Sequence, residues 1–155
     1  MLGAANADLP WPEGDPIEVL WHAATILREH RGDGHVADLL VAGLDGPESL
    51  VWRAALGGER AFLQPARGWT DEEWAAAASR LTDRGWLTAS GAATDAARAA
   101  YEEAEAVTDR LAGEPWERLG AAGTERCAEL LRPIAIRAGK QLPAATPLLL
   151  APIDE

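Results

Sequence analysis

All three histidines of this 155-residue chain, His22, His30 and His35, lie close together, with Arg28, Glu29, Arg31 and Asp33 among them. Imidazoles change charge near neutral pH and guanidinium groups keep theirs, so the cluster suits an anionic or carbonyl-bearing ligand, or acid–base work. His22 and His30 stand two turns apart on one helix, where they can face a single cavity with Arg28 nearby. Gly32 to Gly34 read as a turn that holds His35 close, in the first turn of a following helix. The same run also reads as plain architecture, with Asp33 as an N-cap and Arg31 neutralising a helix C-terminus. Zinc is not expected, because the histidine spacing matches no usual ligand pattern.

A second set of groups lies later in the chain. Glu102, Glu105 and Asp109, at i, i+3 and i+7, share one stripe of a helix. They either face the His/Arg cluster and orient it, with Asp109 beside His22 and His30 as candidate acid–base groups, or form a solvated face with Arg98–Glu102 and Arg110–Glu114 pairs. Among the seven tryptophans, Trp21 is a candidate to line a pocket, and Trp52, Trp69 and Trp74 could stack on a planar ligand, although aromatics at helical spacing are more often core. Cys127 is the one cysteine, which rules out an internal disulfide and reads as a small core residue. No glycine-rich phosphate loop, nucleophile elbow or dinucleotide fingerprint occurs, and no cofactor is expected.

The elements that must position these groups are mostly helices. Residues 1–14 read as an extended arm. Asp15-Pro16 opens a helix whose Ile17, Leu20, Trp21, Ala24 and Leu27 fall at helical spacing and which ends near Gly32. A short helix follows over residues 35–41, and Asp45-Gly46-Pro47 opens a third. After an irregular stretch through Phe62, Pro65 and Gly68, a helix runs from about Thr70 to Arg84. A small strand and turn come next through Leu87, Ser90 and Gly91, and Thr94-Asp95 caps a long helix to about Leu111. Gly113-Glu114-Pro115 should break it, and a last helix over about residues 124–137 meets Pro133, which should kink or end it. The expected plan is a domain over 15–138, with a Pro-rich tail over 139–155.

Helix, wing and long helix in that order resemble MarR-type winged-helix proteins, over Ser49 to Arg137. Leu20 to Leu40 (LWHAATILREHRGDGHVADLL), Arg67 to Trp74 (RGWTDEEW) and the run from Glu105 to Thr108 and Asp109 are similar to an actinobacterial group described as helix-turn-helix family members. The resemblance implies a mainly α, MarR-like winged helix with a very small β wing. It further implies a homodimer through the first and last helices, small-molecule binding between the dimer helices and the winged unit, and DNA binding. It also gives weight to Thr108 and Asp109. Longer members of the group carry a further helical domain, so functions that need it are not expected of this chain.

Charge separates the chain from a usual DNA reader. Net charge is −11, with twenty-five acidic residues against fourteen basic ones. The helix in the DNA-reading position carries Asp71, Glu72, Glu73 and Asp83 against Arg80 and Arg84, and the wing, Thr88 to Thr94, has no Arg or Lys. Lacking a leader or a long apolar run, the protein is expected in the cytoplasm and off membranes. The favoured reading is a winged helix repurposed for small-molecule recognition, with Trp21, His22, Arg28, His30, Arg31, His35, Trp52, Glu105, Thr108 and Asp109 around the ligand. A MarR-type regulator, using Arg60, Arg67, Arg80 and Arg84 on DNA, and an enzyme of specialised metabolism are the alternatives.

Overall fold

The computed structural model describes residues 1–141. From residue 142 on, the expected Pro-rich tail lies outside the described residues. Seven helices follow one another among those residues: α1 (Leu2–Ala7), α2 (Pro16–Val41), α3 (Gly46–Ala55), α4 (Arg60–Ala66), α5 (Asp71–Asp83), α6 (Asp95–Leu119) and α7 (Ala121–Gly139). They form two compact units. The first comprises Met1–Asp45 and Arg98–Pro115; the second comprises Gly46–Ala97 and the described residues from Trp116 on.

In the first unit, α1 packs against α2. Leu2–Ala7 is helical where an extended arm is expected, and the reason lies far along the chain. The Asp33 carboxylate accepts hydrogen bonds from the N–H groups of Leu2 (2.9 Å) and Gly3 (2.7 Å), which the first turn of a helix leaves without internal partners. Gly3 is buried here because a Cβ would come within 3.0 Å of the His30 backbone.

Asp33 therefore caps α1 and not a helix of its own. Two helices separated at Gly32–Gly34 are expected, yet α2 runs unbroken from Pro16 to Val41, opened by the Asp15 side chain on the Ile17 N–H. Gly34 is a place of close approach, not a turn: a Cβ there would meet Leu111 Cδ1 at 3.2 Å. Near its centre α6 buries Ala104 and Thr108, an i, i+4 stripe.

The second unit is built around α3, which packs against both α4 and α5. Val51, Trp52, Leu63, Trp74, Ala77, Leu81, Leu87 and Ala97 are buried; each large apolar side chain so removed from water contributes about 1.5–3 kcal/mol. Trp74, Ala77 and Leu81 recur at helical spacing on α5. The stretch expected to be irregular is the short helix α4, which contains Pro65. Between α4 and α5 the chain turns through Gly68 at φ 71°, where a side chain would be strained.

α5 begins in a capping box. The Thr70 N–H donates to the Glu73 carboxylate (2.9 Å), and the Glu73 N–H donates to Thr70 Oγ1 (3.2 Å). After Gly85 (φ 80°), the expected small wing is a single antiparallel bridge, Leu87–Ala93, with no longer strand among the described residues. Thr94 then caps α6 through the Ala97 N–H, as expected.

α6 and α7 both outrun their expected ends, with Pro115 and Pro133 inside them. Pro133 is exposed, and so is Glu129, the residue whose carbonyl it deprives of a donor. Pro115 receives a different solution, described below. Gly120 (φ 77°) makes the turn between the two helices. Along its length α7 buries none of its residues.

Candidate functional site

The unbroken α2 places the histidines on one rod, and α6 supplies partners for two of them. His35 Nδ1 lies 3.1 Å from Thr108 Oγ1, whose residue is fully buried. His30 Nε2 lies 3.1 Å from the carbonyl oxygen of Leu111. A carbonyl only accepts, so His30 must carry its proton on Nε2 when this bond forms.

Leu111 O is the acceptor that the residue four positions on would satisfy in a regular helix, and that residue is Pro115, which has no N–H. His30 thus supplies the hydrogen bond that proline removes. This explains how α6 continues through Pro115, where a break is expected.

Between the two histidines, Arg31 reaches the Glu105 carboxylate at 3.1 Å and that of Asp109 at 3.7 Å. The acidic stripe thus meets the arginine of α2, whereas Glu102 is exposed. Arg28 is exposed and pairs with its neighbour Glu29. His30, Arg31, His35, Glu105, Thr108 and Asp109 are accordingly brought together along a helix–helix seam, His30 on the Leu111 carbonyl and the others on one another. A ligand there would have to break those bonds. Trp52, expected beside a ligand, is in the second unit at 3% exposure, with its indole N–H donating to the Ala97 carbonyl at 3.1 Å. No group of three or more metal-binding side chains occurs among the described residues.

His22 is different. Its Nε2 is shielded from solvent without a hydrogen-bond partner among the described residues. It lies beside a groove of about 350 Å³ lined by Pro12, Ile17, Glu18, Trp21 and His22. Trp11 stands edge-on to the imidazole, with ring centroids 4.8 Å apart and planes at 73°. Sequence reasoning found Trp21 and His22 but missed Trp11, Pro12, Ile17 and Glu18. The Trp11-Pro12 pair just before a helix opening was the available signal.

Asp71, Glu72 and Glu73 crowd the exposed first turn of α5. Arg80 donates from Nε to the buried Glu48 at 2.8 Å. Arg60 bonds the Asp71 carboxylate at 2.6 Å. The Gln64 amide, and after it Arg60, hold the Asp71 carboxyl below its ordinary pKa. The Arg84 guanidinium lies 4.1 Å above the Trp86 ring. Three of the four arginines that a DNA-binding surface would need are therefore engaged within the unit.

Among the described residues no helix is long and apolar enough to cross a membrane. No curated protein and no solved structure gives a significant match. A family model described as a helix-turn-helix family matches residues 1–143, and the chain belongs to that family.

Proposed function

We propose that this helix-turn-helix protein is a MarR-like winged helix that recognises a small molecule and has weak or no affinity for DNA. The observation that carries the reading is the charge on α5: an acidic exposed first turn, with Arg80 committed to Glu48 and Arg60 to Asp71. A phosphate backbone rewards free cations and repels carboxylates at such a surface. The His30–His35 seam is structural in this reading, and the His22 groove is where a ligand is sought. Two of the acid–base candidates, His30 and Asp109, are bonded into the seam, which weighs against an enzyme.

Membership of a helix-turn-helix family favours a second reading, a regulator that binds DNA through a basic surface shared by two copies. The exposed Leu130 and Ile134 of α7 support a homodimer in either reading. Selection of random duplex DNA on the purified protein at low salt, followed by salt titration, tests the choice. No retained sequence supports small-molecule recognition; an enriched palindromic site with steep salt dependence overturns it. Sedimentation equilibrium reports the dimer.

A further inference from the structure

We infer that the groove at the N-terminal end of α2 takes a neutral or cationic aromatic ligand with a hydrogen-bonding ring nitrogen, which displaces Trp11 and bonds His22 Nε2. This inference rests on the small-molecule reading above. A shielded nitrogen without a partner is uncommon in folded proteins and is a standing source of affinity for any group that satisfies it. The chain itself places an aromatic ring against this imidazole, but the Trp11 contact leaves Nε2 unbonded.

Trp11 is 53% exposed and belongs to the connection between α1 and α2, so moving it breaks no helical hydrogen bond. An incoming ring would keep the face-to-edge contact with His22 and add the missing bond. It would also cover Ile17 and Trp21, both 76% exposed. Glu18, one helical turn before His22, is the charged residue of the groove wall and repels an anionic ligand. That charge reverses the sequence-based expectation of an anion near these histidines.

The test uses the full chain labelled with ¹⁵N, titrated with indole, quinoline, naphthalene and quinoline-2-carboxylate while the Trp11 and Trp21 indole signals are followed, Trp21 alone reporting in Trp11→Ala. Indole donates and quinoline accepts, so the pair covers both neutral forms of His22. One of them should bind roughly 5–10-fold tighter than naphthalene, the range of one hydrogen bond to a shielded partner. His22→Phe should erase that preference, Trp11→Ala should tighten binding, and Glu18→Gln should admit the carboxylate. Naphthalene binding as well as the better of the two, weaker binding by Trp11→Ala, or no probe moving the Trp11 signal would each overturn the inference. Those failures stand apart from failure of the wider reading, which only an enriched DNA site produces.

Discussion

His30 donates to the one carbonyl of α6 that Pro115 deprives of a donor, Leu111 O, at 3.1 Å. The two residues are thereby coupled through that carbonyl, although they lie on different helices. Removing the imidazole by His30→Ala leaves a half-buried carbonyl without a partner and should cost about 1–2 kcal/mol in urea unfolding. In a Pro115→Ala background the helix makes that bond for itself, so the same histidine substitution should cost clearly less. Equal costs in the two backgrounds would break the link.

Gly32 and Gly34 stand two residues apart on α2 and should respond in opposite directions to alanine. At Gly32 a Cβ meets nothing within 4 Å, so Gly32→Ala should stabilise by roughly 0.5–1 kcal/mol through lower chain entropy. At Gly34 the added carbon comes within 3.2 Å of Leu111 Cδ1 and 3.3 Å of its Cβ, so Leu111 must give by a few tenths of an ångström, and its Cβ is tied to the backbone of α6. Gly34→Ala should destabilise by about 1–3 kcal/mol despite the same helical gain. Thermal melts of the two variants give the comparison directly.

These glycines also show what the sequence could and could not disclose. Thr70 with Glu73, Thr94 before α6 and the Trp74, Ala77, Leu81 spacing are local signals, and each was readable because its partner lies within one or two turns. Gly32-Asp33-Gly34 carries a local turn signal as well, but the partners that decide it, Leu111 and the N–H groups of Leu2 and Gly3, are remote. Pro115 misleads for the same reason, since the compensating donor is His30. The candidate site was legible as a list of residue types, while its division into a bonded seam and an unsatisfied His22 depended on packing.

Asp33 gives α1 a dependence on pH. The Gly3 N–H, with that of Leu2 and the charge of the N-terminal amine adding to it against partial desolvation, holds the carboxyl below its ordinary pKa. A lowered folded value means that the stabilisation is fully present above the unfolded carboxylate value and is lost as pH falls through the folded one. The protection of the Ala5–Ala7 amides against hydrogen exchange, relative to the intrinsic rate at each pH, should therefore fall in acid in the wild type. Asp33→Asn should lower it at neutral pH and flatten the response; an unchanged acid profile in the variant would place the dependence elsewhere.

Arg80 bears on how any loss of DNA binding is interpreted. Its guanidinium is about half exposed, but it bonds Glu48, whose side chain is 11% exposed at the base of α3. Arg80→Ala strips one charge-assisted bond from a buried carboxylate, which costs more than losing an exposed ion pair; about 1–3 kcal/mol is expected. Arg80→Ala with Glu48→Gln should recover part of that loss, because the amide tolerates burial without a cation. If the two substitutions simply add, the pair contributes nothing to the fold, and Arg80 becomes available to phosphate. If they couple, Arg80 is held to the interior by the fold, and the charge that remains on the outer face of α5 is carried by Asp71, Glu72 and Glu73.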